Sequence, residues 1–360
     1  MVEEVAPGSP RYRADQIWDG LNRRLRAPDE LTELPVPLRR ALGGHPALAP
    51  ALEAAGESVS DGGLTRKWVW RLVDGALIET VLMEYPRRAT VCVSTQAGCA
   101  MACSFCATGQ AGFDRQLTVG EIVEQVARAA RVAEERGRRA SRVVFMGMGE
   151  PLANFDATWG AVHRLHDDLG LSARHLTIST VGVVPGIQRL AGEDLPVNLA
   201  VSLHAADDAT RDELVPLNRR YPLAALIEAC QEYVARTHRR LSFEWAMIDG
   251  VNDRPADAAR LIGLARRTGA HVNLIPLNPT AGFGVVGSSP ARVSAFRDAL
   301  RQGGVNVTLR QTRGRDIDAA CGQLAARRPH TASVVTLQPV RRRPPGPAAD
   351  LDGSPSPDLG

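Results

Sequence analysis

Short β-rich runs alternate with longer segments of helical periodicity through most of this 360-residue sequence, and this alternation limits the fold more than any other feature. The β-rich runs lie at 90–94, 142–146, 175–179, 197–203, 241–247, 271–275 and 305–309, and the helical candidates at 118–136, 156–169, 222–236, 255–268 and 290–302. Repeated βα units indicate a parallel sheet covered by helices, either a doubly wound sheet or a closed or partial barrel. In each arrangement, ligands bind at the carboxyl ends of the strands.

Glycine and polar side chains gather where these strands end. The segments are Cys99 to Cys106, Gly147 to Pro151, Ser179 to Gly182, Ser202 to His204, and Asn278 with Pro279. Each segment alone is a weak signal, since a Gly-Met-Gly-Glu-Pro run also fits an ordinary turn and a lone His after a strand is commonly a core residue. Five such segments at one edge of the sheet are difficult to explain by chance, so we expect the functional site there.

Three cysteines, Cys99, Cys103 and Cys106, stand at C-x3-C-x2-C spacing in the first of these segments. A four-iron cluster has one iron at each corner and is normally held by four Cys ligands. Three thiolates therefore leave one iron free for a substrate or cofactor. A structural zinc site is the alternative, but it needs a fourth ligand at short spacing, and the next His after Cys106 is His163.

Composition narrows the compartment and the class of partner. Six Cys in 360 residues, with no apolar signal segment at the start, favour a reduced cytoplasmic protein over a disulfide framework. No stretch has the apolar length of a membrane span, so we expect no membrane contact. The net charge is only +3, yet Arg residues cluster at 128–142 and 310–315. Arg suits phosphate and so permits a nucleic-acid partner, although a solvated helix face explains the first cluster equally well.

The chain divides into four predicted parts. Residues 1–55 have apolar residues at helical spacing around Pro35 and Pro37, which indicates a small N-terminal helical module. Residues 56–90 contain two β-rich runs joined by Asp74 and Gly75, a pair that favours the tight turn of a β-hairpin. Residues 91–327 form the α/β core. The Pro- and Arg-rich residues 328–360 are expected to be a disordered tail.

The sequence resembles the radical S-adenosylmethionine (radical SAM) enzymes and, within them, the 23S ribosomal RNA adenine C2-methyltransferases (the RlmN family). The resemblance rests on the cysteine loop with the residues before it (91–106), on Met-Gly-Met-Gly-Glu-Pro-Leu at 146–152, and on the run at 312–324 that contains Cys321. It extends from about residue 12 to about residue 326. It implies a partial (β/α)6 barrel with a small N-terminal helical module and a connecting β-hairpin.

The resemblance also implies two cofactors, a [4Fe-4S] cluster and SAM, with two SAM molecules used per turnover. Cys99, Cys103 and Cys106 are the expected cluster ligands. The expected SAM-binding residues are Gly149, Glu150, Ser179, Ser202, Leu203, His204 and Asn278. Because C2 of adenine has no lone pair with which to attack a methyl group, the family uses a carbon radical, the 5′-deoxyadenosyl radical formed from SAM.

Three further residues take catalytic roles from the resemblance. Cys321 accepts a methyl group from one SAM, and hydrogen abstraction from this S-methylcysteine gives a methylene radical that adds to C2. Cys92 is the expected resolving thiol, which forms a transient disulfide with Cys321. Glu79 is the expected acceptor of the C2 proton, although sequence spacing alone does not separate it from Glu84, and Cys92 is the alternative acceptor.

The expected substrates are adenosine 2503 of 23S rRNA and adenosine 37 of tRNAs, both methylated at C2, with a flavodoxin or ferredoxin as electron donor. Aromatic residues make up only 4% of the chain, so Trp68, Trp70 and the Arg310 to Arg315 group are the candidates for contacts with an unstacked base. Three alternatives stay open. These are methylation at C8 of the same rRNA adenosine, a radical SAM enzyme with a protein or small-molecule substrate, and a zinc-stabilised RNA-binding module without catalysis.

Overall fold

A computed structural model describes residues 12–278, 280, 284–311 and 313–325, together with Pro7, Ser9 and Pro10. The predicted tail at 328–360 lies outside the described residues, as do Pro279 and Thr312. In the described part, the strands are β1 (Leu52–Ser60), β2 (Thr65–Leu72), β3 (Leu77–Tyr85), β4 (Arg88–Cys92), β5 (Gln96–Gly98), β6 (Phe113–Gln116), β7 (Ala140–Phe145), β8 (Leu176–Thr180), β9 (Asn198–Ser202), β10 (Leu241–Met247), β11 (His271–Pro276) and β12 (Val307–Leu309).

The α-helices alternate with the later strands, as the sequence pattern predicts. Within the same described residues they are α1 (Tyr12–Trp18), α2 (Val36–Gly43), α3 (Ala107–Ala111), α4 (Val119–Glu135), α5 (Phe155–Asp167), α6 (Val184–Leu190), α7 (Asp208–Leu214), α8 (Leu223–Thr237), α9 (Pro255–Thr268) and α10 (Pro290–Gln302). Local signals fix many of the ends. Thr118 caps α4 in a capping box with Glu121, and Gly269 ends α9 in the left-handed conformation.

One open sheet runs through the molecule in the strand order β1-β2-β3-β4-β7-β8-β9-β10-β11-β12. Neighbours from β1 to β4 are antiparallel, and neighbours from β4 to β12 are parallel. The parallel part contains six βα units, from β4 with α4 to β11 with α10. The predicted partial (β/α)6 barrel is therefore confirmed, with β12 as its last strand. All seven residues of β10 are buried, as expected for a strand covered on both faces.

The antiparallel extension differs from the prediction in its size. The hairpin around Asp74 and Gly75 is present as β2 and β3, but β1 adds a third strand that crosses the predicted boundary at residues 55 and 56. Most of β1 is exposed. An edge strand without a buried face lacks the apolar alternation by which strands are recognised, so the sequence pattern does not predict β1.

The N-terminal helices form a module with a core of its own. The buried residues of that core are Ile17, Leu31, Leu34, Leu38 and Leu42, and they form a cluster separate from the barrel core. The module contacts the barrel through α4, where Arg131 forms an ion pair with Glu30 and donates to the Leu25 carbonyl over 3.4 Å. Among the described helices, none has the length and apolar character needed to cross a membrane.

Candidate active site

The loop between β5 and α3 carries the three cysteines, and contacts to β6 fix its shape. Gly98, the last residue of β5, has a φ of 76°, and a Cβ added there would lie 2.2 Å from the Gly112 carbonyl oxygen. The Cys99 N–H donates to the same carbonyl over 2.7 Å. Only glycine fits at position 98, so the chain turns sharply just before the first cysteine.

Cys99, Cys103 and Cys106 all line one cavity. Within the described residues, no group of three or more His, Cys, Asp or Glu side chains is placed to hold a single metal ion. A zinc site gathers its ligands around one ion. A cubic iron–sulfur cluster uses a different iron atom for each thiolate and so holds the thiolates farther apart. All three thiols face one cavity, as the ligands of a single cluster must.

The cysteine loop is largely shielded from water. Burial raises the pKa of Cys99 to about 12, and it raises the pKa of Cys103 well above its usual range. Without a metal these two thiols are therefore protonated at neutral pH. Binding of iron must displace their protons, which couples cluster assembly to pH.

The thiols form one wall of a cavity with about 1060 Å³ of empty space, counting its opening to solvent. The opposite walls come from the carboxyl ends of the parallel strands. Most of the predicted SAM-binding residues line this cavity, namely Gly149, Glu150, Ser179, Ser202, His204 and Asn278. Leu203 is the exception. Its side chain is fully buried, while its N–H donates to the Glu244 carbonyl over 3.1 Å and its carbonyl accepts from Arg211 Nε over 3.1 Å.

Gly149 and Glu150 are held in place by Gln96. Gly149 has a φ of 101°, and an added Cβ would lie 2.5 Å from the Gln96 Cβ. The Gln96 Oε1 accepts a hydrogen bond from the Glu150 N–H over 2.8 Å. The buried Glu150 carboxylate accepts from the Leu152 N–H over 3.0 Å and from the Val181 N–H over 2.8 Å. Burial raises the pKa of Glu150 to about 7, so this carboxyl changes charge near neutral pH.

His204 is a buried and neutral imidazole. Its backbone has a φ of 57°, and its Nδ1 accepts a hydrogen bond from the Ala246 N–H over 3.0 Å. The ring lies edge-on to the Phe105 ring, with 4.5 Å between centroids. Burial, with a smaller effect from the charge on Arg211, lowers the pKa of His204 to about 3. The single ring proton is therefore on Nε2, and His204 can act as a hydrogen-bond donor.

Cys321 lies beside the cysteine loop although 215 positions separate it from Cys106 in the sequence. The Ala107 N–H donates to the Gly322 carbonyl over 2.8 Å, and Asn278 Nδ2 donates to the Cys321 carbonyl over 3.1 Å. The Cys321 segment is thus attached to the first residue of α3, directly after the last cluster cysteine. Asn278 Oδ1 is buried and has no hydrogen-bond partner in the described part of the chain, so it is an acceptor available to a ligand.

A second cavity, with about 890 Å³ between protein atoms, lies on the other side of Cys321. Its wall includes the apolar side chains of Val81 and Met83 from β3, and Cys92 at the end of β4. The residues that line both cavities are Met146, Ile275, Asn278, Arg310, Cys321 and Leu324. Cys321 is therefore in the wall between two compartments, one with the cluster cysteines and the other with Cys92.

Cys92 is an electrostatic neighbour of Cys321. It is buried and pairs with Val81 across β3 and β4. Burial raises the pKa of Cys92 to about 12, and the negative charge of a Cys321 thiolate adds to this effect. The structure thus brings together two thiols that the sequence separates by more than 200 residues.

Glu79 and Glu84, which sequence spacing alone does not distinguish, lie on opposite faces of β3. Glu79 faces the same side of β3 as Val81 and Met83, because side chains two positions apart share a face. Its Oε1 lies 3.3 Å from Lys67 Nζ, its Oε2 has no hydrogen-bond partner within the described residues, and burial raises its pKa. Glu84 faces the other side, where its Oε1 lies 2.7 Å from Arg136 Nε. Glu79 lines neither cavity. The Ala325 N–H lies close enough to lower the pKa of Glu79 slightly, so the segment that follows Cys321 lies over this carboxyl.

Trp68 and Trp70 do not contact solvent, so their predicted role in base contact is wrong. They are 6% and 4% exposed, and their rings stack with 5.9 Å between centroids. Trp70 Nε1 donates to Thr80 Oγ1 over 3.0 Å, and the Arg128 guanidinium covers the Trp70 ring at 5.0 Å. Arg128 also bonds to Glu124, so this member of the first Arg cluster stabilises the fold.

Glu244 also belongs to the site, although it is not among the residues predicted from the sequence. It lies in β10 and lines the first cavity. Its Oε1 accepts from Asn273 Nδ2 over 2.8 Å, whereas its Oε2 is buried without a hydrogen-bond partner among the described residues. A carboxylate in the middle of an otherwise apolar strand, Leu-Ser-Phe-Glu-Trp-Ala-Met, is the signal that could have identified it.

Comparison with known proteins places the chain in a family. A model of the radical SAM superfamily matches residues 93–262. A probable dual-specificity RNA methyltransferase RlmN from a Parafrankia strain is 55% identical over 89% of this chain and 88% of its own length. A dual-specificity RNA methyltransferase RlmN from Myxococcus xanthus is 52% identical over 88% of each chain. The crystal structure of a radical SAM methyltransferase from Sphaerobacter thermophilus is 51% identical, with a TM-score of 0.84 over 88% of this chain and 94% of that chain.

The radical SAM superfamily implies a [4Fe-4S] cluster and SAM. The residues of the first cavity fit both groups, because three thiols share one wall and Asn278 Oδ1 and Glu244 Oε2 are free acceptors beside them. Gly149 leaves room where a side chain would collide with Gln96. From the fold, the cavity and these relatives together, the chain is a radical SAM enzyme that belongs to the RlmN family of RNA methyltransferases.

Proposed function

We propose that this enzyme methylates C2 of adenosine 2503 in 23S rRNA and C2 of adenosine 37 in tRNAs, through a methylated Cys321. The relatives at about half identity carry the description dual-specificity RNA methyltransferase, which agrees with two RNA substrates. One structural observation supports the proposal most strongly. Cys321 lies in the wall shared by two cavities, so one thiol can receive a methyl group on one side and deliver it on the other.

Cys99, Cys103 and Cys106 hold the cluster. Gly149, Glu150, Ser179, Ser202, His204 and Asn278 surround SAM, with the Asn278 and Glu150 oxygens as acceptors and His204 Nε2 as a donor, while the buried Leu203 supports His204 from the core. When bound, the cluster and two SAM molecules per turnover supply the methyl group and the carbon radical. The protein excludes water from that chemistry, because the cavity walls are built from buried strand ends.

The second cavity receives the adenine. Its apolar wall at Val81 and Met83 suits the face of a base, and a base must leave its stack to reach a thiol at this depth. Cys321 joins the base covalently through its methylene group. The Cys92 thiolate then attacks Cys321 Sγ and forms a disulfide, while the bond from that sulfur to the methylene carbon breaks. The electron pair of the broken bond stays on the carbon, which takes up a proton and becomes the methyl group of the product, and a cellular dithiol reduces the disulfide before the next turnover.

Glu79 removes the C2 proton. Its raised pKa suits a proton acceptor, and its free Oε2 faces the side of β3 that carries Val81 and Met83. Lys67, 3.3 Å from Oε1, holds the carboxylate in position. The segment between Cys321 and Ala325 lies over Glu79. This segment must therefore shift when RNA binds, so that the Glu79 carboxylate can contact the base.

The N-terminal module, residues 12–48, holds the folded RNA, since phosphate contacts can position a substrate without reading its sequence. We also propose that the chain is divided by role into a helical module at 1–55, a hairpin connector at 56–90 and a radical SAM core at 91–327. A flavodoxin or ferredoxin supplies the electrons.

Mass spectrometry of the purified enzyme tests the central step. We expect the tryptic peptide with Cys321 to carry one methyl group, and a digest of treated 23S rRNA and tRNA to contain 2-methyladenosine. An enzyme that produces only 8-methyladenosine would contradict the proposed position of methylation. Unmodified Cys321 in an enzyme that methylates RNA would exclude the methylcysteine route.

Two variants separate the roles of the thiols. Cys321→Ala should still cleave SAM when a reductant is supplied but should leave the RNA unmethylated. Cys92→Ala should trap a covalent adduct of protein and RNA, visible as a slow band on a denaturing gel. Cys230→Ala is the matched control, because Cys230 is a fully buried thiol in α8 outside both cavities, and it should form product without trapping an adduct.

A further inference from the structure

Arg310 lies in the same wall between the two cavities as Cys321. It follows β12, and its N–H donates to the Leu274 carbonyl over 2.8 Å, which continues the pairing of β12 with β11. Its side chain lines both cavities. Within the described residues, the Arg310 guanidinium has no hydrogen bond and no ion pair closer than 4 Å.

Other partly or fully buried arginines near the site are bound to the protein. Arg211 donates to the carbonyls of Leu203 and Val181 and to Asn218 Oδ1. Arg313 donates to the Glu84 carbonyl over 2.8 Å and covers the Tyr85 ring at 4.4 Å. Among the described residues, Arg310 therefore differs from these two arginines, because its guanidinium has no hydrogen-bond or ion-pair partner there.

The groups around Cys321 are mostly acids. The titratable and charged residues that line the two cavities beside Cys321 are Tyr85 on β3, Cys92 on β4, Glu150 after β7, the neutral His204 after β9, Glu244 on β10, Arg310 after β12, Arg313 on the segment of Cys321 itself, and Cys99, Cys103 and Cys106. Of the cations in this set, Arg313 is bound to Glu84 and Tyr85. Arg310 is thus the cation available to a thiolate in the shared wall.

Electrostatics agree with this placement. The charge on a Cys321 thiolate is the largest influence that raises the pKa of Arg310, and Glu244 and Cys92 raise it further. Glu244 lines the first cavity together with Arg310, and its Oε1 accepts a hydrogen bond from Asn273. A cation near a thiol stabilises the ionised form of that thiol.

We propose that Arg310 is a positioning residue that stabilises the thiolate of Cys321 from the wall shared by the two cavities. This inference rests on the proposed function, in which Cys321 must lose its proton before it accepts a methyl group. The proton goes to solvent, and a lone pair on Cys321 Sγ forms the bond to the methyl carbon. The bond from that carbon to the sulfonium sulfur of SAM breaks, and its electron pair stays on that sulfur, which becomes neutral.

The titration of Cys321 tests the proposal without any turnover. The full chain is produced under iron limitation, so that Cys321 is unmethylated, and is then reconstituted anaerobically with iron and sulfide. Iodoacetamide alkylation of the peptide with Cys321 is followed by mass spectrometry between pH 6 and pH 10. Arg310→Met should raise the midpoint of the alkylation profile by about one unit, which corresponds to alkylation about tenfold slower at pH 7.5. Arg310→Lys keeps the charge and should stay within about threefold of the unchanged protein.

Arg313→Met is the matched control, because it removes a guanidinium three positions away that lines only the second cavity. It should leave the Cys321 profile unchanged. The proposal is wrong if Arg310→Met leaves the profile unchanged, if Arg310→Lys is as slow as Arg310→Met, or if Arg313→Met causes an equal shift. A rise confined to the KM for RNA in Arg310→Met, with an unchanged thiol profile, would instead assign Arg310 to a phosphate of the substrate.

Iron content and thermal unfolding of each variant show whether it is folded. If Arg310→Met is not folded, the Cys321 profile of Arg310→Lys is the deciding measurement, and a profile shifted by one unit there contradicts the proposal. The result is also independent of the proposed function. Absence of a methyl group on Cys321 in the active enzyme would refute the methylcysteine route, whereas the thiol titration is measured without SAM or RNA. A shifted profile with no methylcysteine would leave Arg310 as the partner of Cys321 and refute only the methyl transfer.

Discussion

At the scale of single residues, Gly149 shows how backbone geometry and ligand space are determined together. Its φ of 101° lies in the left-handed half of conformational space, and a Cβ there would approach Gln96 to within 2.5 Å. Gln96 in turn accepts from the Glu150 N–H. A side chain at position 149 would therefore displace the residue that holds the next one.

We expect Gly149→Ala to lower the free energy of unfolding by about 1–3 kcal/mol, because it combines backbone strain with a steric overlap. It should also weaken SAM binding by the reconstituted enzyme more than tenfold. Chemical denaturation and equilibrium dialysis measure the two effects. Gly263→Ala is the control, since position 263 lies in α9 with no atom within 4 Å of an added Cβ, and it should be neutral or stabilising. Equal losses in both variants would contradict this account.

His204 makes the fold sensitive to acid. Its pKa is about 3 in the folded protein, against about 6.5 for an exposed His. The unfolded chain therefore binds a proton between these values that the folded protein does not, so stability falls as the pH is lowered below about 6.5. Glu150 acts in the opposite sense, because its pKa is raised to about 7 and its burial costs stability as the pH rises from about 4.5 towards 7.

Replacement of His204 by Gln should flatten the acid dependence. Between pH 6.5 and pH 5 the cluster-free protein should lose about 2 kcal/mol more of its unfolding free energy than His204→Gln loses over the same range. Urea denaturation at both pH values gives the comparison. Parallel losses in the two proteins would mean that His204 is not the buried neutral imidazole that its contact with the Ala246 N–H indicates.

At the scale of elements, the antiparallel strands β1 to β3 support the segment that carries Cys321. Asp61, in the turn between β1 and β2, accepts from Thr65 Oγ1 over 2.6 Å and from the Gly314 N–H over 3.2 Å. Lys67 Nζ, on β2, donates to the Asp318 carbonyl over 3.2 Å. The strands predicted as a connector therefore hold the chain that carries Cys321.

Asp61→Ala should loosen residues 313–325 without unfolding the barrel, because both hydrogen bonds of its carboxylate are lost. Hydrogen exchange at 313–325 should become faster by tenfold or more, and RNA methylation slower, while SAM cleavage continues. Asp61→Asn keeps an acceptor and tolerates the φ of 52° at this position, so it should restore most of the protection. Glu57→Ala, an exposed residue of β1, is the control and should change neither rate.

At the scale of the whole molecule, the N-terminal module has a hydrophobic core separate from that of the barrel. The N-terminal core contains Ile17, Leu31, Leu34, Leu38 and Leu42, and the barrel core lies on both faces of the parallel sheet. The described contacts between them include the ion pair of Arg131 with Glu30. The small module can therefore lose its packing while the barrel stays folded.

Leu31→Ala should destabilise the N-terminal module by about 2–4 kcal/mol, since Leu31 is fully buried and packs against Gly20. Hydrogen exchange should rise across residues 12–48 and stay unchanged in β7 to β11. If the module holds the RNA, the Kd for RNA should rise at least fivefold, while SAM cleavage without RNA is unaffected. Leu309→Ala, at a half-exposed position of β12, should spare the module and serves as the control. An unchanged Kd would assign RNA binding to another surface.

Much of the barrel was accessible from sequence because its signals are local. The bounds predicted for β10, α9 and α10 agree with the structure. A buried apolar run marks the extent of a strand, and Pro or Gly residues mark the ends of a helix. The edge strand β1 has no such signal. The burial of Trp68 and Trp70 was also out of reach, because an aromatic side chain in an alternating strand fits a core and a binding surface equally well.

The sequence by itself determined the parallel α/β architecture and predicted a cluster site with three thiolates, because both rest on short-range spacing. It could not place Cys321, Cys92, Arg310 and Glu244 around one wall, since these residues come from different strands and a distant segment. Only the tertiary structure decided that Arg310 and Cys321 line both cavities, and that the guanidinium has no hydrogen-bond or ion-pair partner among the described residues. Charge and proximity act through space, and the chain reaches that geometry only when the parallel strands have come together in the sheet.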